Sequence, residues 1–142
     1  MATTIGLMGF GRIGRSLFRI LYQSEDIKLA AISDIADHKA LEYLLRFDTL
    51  LGPFPDEVSI KEGNLYVVGR QVPMLSEEEP GDVPWGDLGV DVVIEATAQY
   101  RTREDFEKHL EQGAKRVILC VPQKTPPDIT VVMGVNDDQL KA

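Results

Sequence analysis

Apolar residues in this chain fall into short runs that are separated by turn residues and by amphipathic stretches. Continuous apolar runs, which are typical of strands buried on both faces, cover residues 4–8, 27–32 and 91–96. Helical spacing or a capping signal marks residues 12–22, 36–45 and 102–111. This alternation predicts an α/β fold with a doubly wound, Rossmann-type, mostly parallel sheet.

The first and third predicted helices carry side chains whose environment can be anticipated. The buried face of the first helix is expected to hold Ile13, Leu17, Ile20 and Leu21. Arg15 and Arg19 lie on the opposite side and are interpreted as solvent-facing. The third helix begins at Thr102 with Asp105 three residues later, which predicts a capping box, and His109 is expected to be exposed.

The second half of the chain departs from strict alternation. From residue 58 onward, short alternating runs separated by glycine turns predict a small antiparallel insertion. Trp85, between Pro84 and Gly86, is interpreted as a packing anchor. Residues 116–121 and 129–134 are expected to add two further strands.

Composition describes an ordinary globular domain. The chain has 142 residues, 44% hydrophobic and 27% charged, so residues 1–142 are treated as one domain. A net charge of -8 gives no broad surface for nucleic acid. No apolar stretch is long enough to span a bilayer, and residues 1–4 lead directly into the first strand, so we expect no membrane partner and a cytoplasmic location.

Three glycines stand at GxGxxG spacing between the first predicted strand and the first predicted helix. In such a turn Gly9 takes a positive φ, Gly11 lets the backbone approach a diphosphate, and Gly14 lets the helix pack closely on the strand. Unpaired N–H groups at the start of the helix then favour an anion. The spacing predicts a phosphate-binding turn.

Asp34 follows the second predicted strand, 20 residues after Gly14. A carboxylate there accepts hydrogen bonds from ribose hydroxyls and repels a 2′-phosphate, which favours NAD over NADP. The alternative is that Asp34 caps the following segment. In a doubly wound sheet, the loop Ala96–Tyr100 faces the glycine turn across the same crevice.

Several blocks together resemble one known family. They are GFGRIGR at residues 9–15, Asp34, FDT at 47–49, VPW at 83–85, GAKRVI at 113–118 and VVMGVN at 131–136. In this order they resemble phosphorylating glyceraldehyde-3-phosphate dehydrogenase, and only its N-terminal NAD-binding domain. The family's SNASCTTNC segment, which holds its nucleophilic cysteine, and its catalytic histidine have no counterpart in these residues.

The resemblance implies an NAD site and assigns residues to it. The diphosphate and its turn would take Gly9, Gly11, Arg12, Ile13 and Gly14, and the adenosine ribose would take Asp34. Glu78 stands near the adenine where the family has a basic residue, and Ala96, Thr97, Ala98 and Tyr100 replace the family's STG and aromatic residue. Cys120 takes the place of a family serine or threonine near the nicotinamide side. No metal ligand is implied.

Cys120 is the only thiol in the chain. It lies within the apolar run VILCVP, away from any predicted helix N-terminus or neighbouring histidine. Such a position gives neither a lowered pKa nor a general base, so Cys120 is not expected to be a nucleophile. We therefore predict no catalytic residue in this chain.

Three functions remain open on this evidence. The first is the NAD-binding part of an oxidoreductase that oxidises an aldehyde phosphate with NAD and inorganic phosphate. The second is a non-catalytic nucleotide-binding module, and the third is the same fold serving erythrose-4-phosphate dehydrogenase. Whether this chain is itself an enzyme stays open, as does its partner, which is either a second copy or a chain with the catalytic domain.

Overall fold

The computed structural model describes residues 1–141. The helices within this range are α1 (Arg12–Leu21), α2 (His38–Arg46) and α3 (Arg103–Glu111). The strands are β1 (Thr3–Met8), β2 (Ile27–Ser33), β3 (Phe47–Asp48), β4 (Gly52–Pro53), β5 (Val58–Lys61), β6 (Asn64–Val67), β7 (Arg70–Leu75), β8 (Val92–Glu95) and β9 (Arg116–Leu119). Two short 3₁₀ helices cover Pro80–Asp82 and Asp137–Gln139.

A seven-stranded sheet in the order β5-β6-β7-β2-β1-β8-β9 forms the centre of the molecule. Each pair of neighbours in the order β7-β2-β1-β8-β9 is parallel, whereas β5, β6 and β7 form an antiparallel meander. Because the strand order reverses between β1 and β8, the carboxyl ends of these strands open a crevice. The predicted doubly wound sheet with an antiparallel insertion is confirmed.

Both faces of this sheet are covered. Leu7 packs into a core with α1 and α2, whereas the next residue, Met8, packs into a second core around Trp85. Consecutive residues of a strand point to opposite faces, which explains why the sequence of β1 is apolar throughout. Trp85 is completely buried, so its predicted role as a packing anchor is confirmed.

The buried face of α1 differs from the prediction. Ile13 and Ile20 are 44% and 73% exposed, whereas Phe18 is 1% exposed and stacks on Tyr22 with ring centroids 5.8 Å apart. Aromatic rings bury more area than aliphatic side chains, so the helix turns its aromatic residues inward. The expectation for Ile13 and Ile20 was wrong.

Arg15 and Arg19 of α1 form hydrogen bonds with the main chain, which differs from the expectation that they face solvent. Arg19 Nη2 donates to the carbonyl oxygens of Leu45 at 2.8 Å and Gly52 at 2.9 Å. Arg15 Nη1 donates to the carbonyl oxygen of Phe10 at 3.0 Å. Both side chains therefore fasten α1 to neighbouring segments, because carbonyl groups in the last turn of a helix and at short strands and turns need donors.

Residues 129–134 do not form the strand that their pattern predicts. Val132 and Met133 are 56% and 77% exposed in a turn that follows β9. Within residues 1–141 this run pairs with no strand of the sheet, and the exposure of Val132 and Met133 shows that no layer covers it, so its apolar composition alone does not make it a strand. The second of the two additional strands was therefore a wrong prediction, whereas β9 confirms the first.

No helix within residues 1–141 combines the length and the apolar character needed to cross a membrane. The same residues contain no group of three or more metal-ligating side chains.

Candidate functional site

Two of the three motif glycines are required by the protein's own packing. Gly9 has φ +95, and a Cβ there would lie 2.8 Å from the main-chain nitrogen of Thr97. A Cβ on Gly14 would lie 2.2 Å from the carbonyl oxygen of Gly9. The predicted positive φ of Gly9 and the close approach of α1 at Gly14 are confirmed.

Gly11 is different from its two neighbours in the motif. Its φ of -71 is open to any residue, and no atom lies within 4 Å of where its Cβ would be. The protein's own structure therefore gives no reason for a glycine at this position. Open space at the start of a helix is instead suited to a ligand that approaches the backbone.

The N-terminus of α1 is also uncapped, in contrast to the other two helices. Gly11 offers no side chain to the first turn of α1, which has no acidic residue either. Asp37 caps α2 by accepting from the Ala40 N–H at 3.0 Å, and Thr102 and Asp105 form the predicted capping box of α3. The first N–H groups of α1 are thus left for an external anion.

Asp34 lies next to the glycine turn and is held by two main-chain hydrogen bonds. Its Oδ2 accepts from the Phe10 N–H at 2.7 Å, and its Oδ1 accepts from the Ala36 N–H at 2.8 Å. Each oxygen keeps a lone pair that can accept a further hydrogen bond. Because Asp37 is the N-cap of α2, the alternative interpretation of Asp34 as a helix cap was wrong.

These groups share one cleft at the carboxyl ends of β1, β2 and β8. Six residues predicted for the site line it, namely Gly9, Gly11, Asp34, Glu78, Ala96 and Thr97. Five lining residues were missed, namely Met8, Ser33, Ile35, Glu77 and Gln99. Ile35 could have been found from its position directly after the strand-end carboxylate, and its side chain is 61% exposed. The remaining predicted residues lie on α1 or beside the cleft.

The loop after β8 contains a strained residue. Ala98 has φ +63, a left-handed conformation that favours glycine. The chain therefore accepts an alanine where the resembling family has a glycine and still forms the turn. The Tyr100 hydroxyl donates to Glu79 Oε1 at 3.3 Å, and burial with this carboxylate raises the pKa of Tyr100 to about 12.

Cys120 lies beside the cleft and is not among its lining residues. Its side chain is half-buried, and its N–H donates to the carbonyl oxygen of Glu95 at 3.1 Å. Burial and the nearby Glu95 carboxylate raise the pKa of the thiol. A raised pKa leaves the thiol protonated at neutral pH, which agrees with the expectation that it is not a nucleophile.

His109 contradicts the sequence-based expectation, because it is completely buried rather than exposed. Its ring contacts Trp85 on one side and the equally buried Glu95 on the other. Glu95 is the last residue of β8 and immediately precedes the cleft residues Ala96 and Thr97. Helical spacing could not reveal this role, since the partners of His109 are distant in sequence.

A glycine turn, an uncapped helix and a fixed strand-end carboxylate at the switch point of a parallel sheet define a dinucleotide-binding domain. Comparison with known families identifies the particular one. The family model described as glyceraldehyde 3-phosphate dehydrogenase, NAD binding domain, matches residues 3–103, which is more than half of the chain. This chain belongs to that family, whose cofactor is NAD by its description.

Curated relatives are similar along almost the whole chain. Glyceraldehyde-3-phosphate dehydrogenase of Geobacillus stearothermophilus is 45% identical over 139 residues, which is 98% of this chain and 41% of the relative. The enzyme of the same name from Thermotoga maritima is 47% identical over 139 residues, which is 96% of this chain and 41% of the relative. The chain thus spans about two fifths of the length of these relatives.

Proposed function

We propose that this chain binds NAD and supplies the coenzyme site of a glyceraldehyde-3-phosphate dehydrogenase-like oxidoreductase. The observation that carries this proposal is the empty space at Gly11 beside the uncapped start of α1. A protein that did not receive a ligand there would gain from a capping side chain, as α2 and α3 do.

Main-chain groups would hold the diphosphate. The N–H groups of Gly11, Arg12 and Ile13 lie at the first turn of α1, where the helix dipole is positive. All three residues are exposed, which supports access of a ligand to this turn. The Arg12 side chain adds a positive charge at the same place, which supports binding of an anion in a chain of net charge -8.

Asp34 would hold the adenosine ribose through the lone pairs that its two main-chain donors leave free. A hydrogen bond to an ionised group contributes about 1.5–3 kcal/mol. Glu77 and Glu78 line the cleft as well and add negative charge beside Asp34. These carboxylates repel a 2′-phosphate, which supports preference for NAD over NADP.

The test of this assignment is the affinity of an Asp34→Ala variant for both nucleotides. We expect NAD to bind at least about tenfold more weakly and the ratio of the two dissociation constants to fall, since a favourable contact and a repulsion are both lost. Asp37→Ala is the matched control, because it removes a neighbouring carboxylate that caps α2. An unchanged ratio in Asp34→Ala, or an equal change in Asp37→Ala, would contradict the assignment.

The reaction of the whole protein is part of the same proposal. By resemblance, a cysteine of the family's catalytic segment would add to the aldehyde to form a thiohemiacetal, and bound NAD would supply the hydride acceptor that turns it into a thioester. Inorganic phosphate would then attack the thioester carbonyl, which would form the acyl phosphate and return the cysteine thiolate. Cys120 does not replace that cysteine, because its pKa is raised and it does not line the cleft. We expect the protein to act in the cytoplasm. We expect the isolated 142-residue chain to bind NAD but not to produce NADH from aldehyde phosphates.

A further inference from the structure

Four side chains connect the second core to the cleft by consecutive hydrogen bonds. Trp85 Nε1 donates to His109 Nδ1 at 2.9 Å, and His109 Nε2 lies 3.0 Å from Glu95 Oε2. Glu95 Oε1 accepts from the Thr97 N–H at 2.8 Å and also from the Thr97 hydroxyl. Trp85, His109 and Glu95 are each completely buried.

The direction of these hydrogen bonds is fixed from the tryptophan end. An indole N–H can only donate, so His109 Nδ1 must accept. The proton of a neutral imidazole is then on Nε2, which donates to Glu95 Oε2. The contact between His109 and Glu95 is therefore a hydrogen bond from a neutral ring to a carboxylate, not an ion pair.

Glu95 consequently faces donors at both of its oxygens. A glutamine at this position would fail in either orientation of its amide. With the NH₂ group toward Thr97, it meets the Thr97 N–H. With the NH₂ group toward His109, the amide N–H faces the Nε2 proton, so two donors meet. Moving the His109 proton to Nδ1 would relieve this contact but would place it against the Trp85 N–H, so two donors would meet there instead. Only a carboxylate satisfies all of these donors at once.

The carboxylate acts on the part of the cleft that faces the glycine turn. Thr97 is held by Glu95 through both its N–H and its hydroxyl, and Thr97 Oγ1 accepts in turn from the Gln99 N–H at 3.2 Å. The backbone of Thr97 packs directly against Gly9. A shift of Thr97 would therefore change the opening between the glycine turn and the β8 loop.

We propose that Glu95 is a positioning residue for NAD, which uses the donors fixed by Trp85 and His109 to hold Thr97 and the β8 loop in place against the glycine turn of the cleft. This inference rests on the proposed function.

The first experiment measures NAD binding to Glu95→Gln. We expect NAD to bind roughly tenfold more weakly, as for the loss of one hydrogen bond. Glu107→Gln makes the same substitution at an exposed position of α3 and should leave NAD affinity unchanged. Unchanged NAD affinity in Glu95→Gln, or an equal loss in Glu107→Gln, would overturn the proposal.

A second substitution separates positioning from general loss of structure. In Glu95→Gln with Trp85→Phe, the indole donor is gone, so the His109 proton can move to Nδ1 and Nε2 can accept from the glutamine amide. The glutamine oxygen then faces Thr97, and NAD affinity should recover toward that of the unsubstituted protein. A double variant no better than Glu95→Gln would overturn the directional argument.

NMR of the unsubstituted chain keeps the inference testable even if these variants fail to fold. The ¹⁵N pattern of His109 should show a proton on Nε2 only, and a proton on Nδ1 would overturn the direction. NAD should also shift the signal of Trp85, the single tryptophan, and an unmoved signal in the NAD complex would contradict coupling between the cleft and the second core. If NAD fails to bind, the proposed function fails, and the His109 measurement still reports on the hydrogen bonds.

Discussion

Replacing Ala98 by glycine should stabilise the protein. Ala98 is exposed and has φ +63, so its methyl group makes the left-handed backbone unfavourable without contributing to a core. An L-residue in this conformation costs about 1–2 kcal/mol. Glycine removes that cost, but it also makes the unfolded chain more flexible, which offsets about 0.4–1 kcal/mol of the gain. The expected net gain is about 0.5–1 kcal/mol, or roughly 2–3 °C in Tm for a domain of this size.

Urea and thermal unfolding followed by circular dichroism would measure this gain. Ala40→Gly is the matched control, since Ala40 is also exposed but has a helical conformation in α2. Glycine is unfavourable in a helix, so this substitution should destabilise the protein by about 1 kcal/mol. NAD affinity of Ala98→Gly should stay within about twofold, because the backbone already has the conformation that glycine prefers. If Ala98→Gly destabilises the protein as Ala40→Gly does, the left-handed conformation of Ala98 is refuted.

Two further predictions follow from shifted pKa values. Burial and hydrogen bonds to carboxylates raise the pKa of Tyr22 and of Tyr100 to about 12, so their stabilising effect is complete below the ordinary value of 10.0 and is lost as pH rises toward 12. Tyrosinate absorbance in an alkaline titration should show two late-titrating groups, one of which disappears in Tyr22→Phe. Iodoacetamide should alkylate Cys120 more slowly than free cysteine at neutral pH until urea unfolds the chain, because its pKa is raised, and equal rates in the folded state would contradict this.

Prediction from the sequence was most accurate at positions where a single physical requirement restricts the residue type. Gly9 and Gly14 were placed correctly because a positive φ and a close helix contact exclude other side chains. The capping box at Thr102 was predicted because its hydrogen bonds join residues only three positions apart. Asp34 was located next to the glycine turn by its position after a strand, a rule that the parallel sheet enforces.

Predictions failed where the environment comes from distant parts of the chain. The burial of Phe18 rather than Ile20 depends on the aromatic neighbours that other segments bring to α1. The burial of His109 depends on Trp85 and Glu95, which are 24 and 14 residues away. The contacts of Arg19 depend on the carbonyl groups of Leu45 in α2 and Gly52 in β4, which are 26 and 33 residues away. Local spacing contains none of this information.

Calorimetric titration of NAD into the 142-residue chain and into Gly11→Ala tests the phosphate-binding turn most directly. The substitution meets no atom within 4 Å and has an ordinary φ, so the variant should remain folded with a loss below about 1 kcal/mol. We predict that the unsubstituted chain binds NAD and that Gly11→Ala binds it at least about tenfold more weakly. Equal binding by both proteins, or no heat with the unsubstituted chain, would contradict a diphosphate held against the backbone at Gly11.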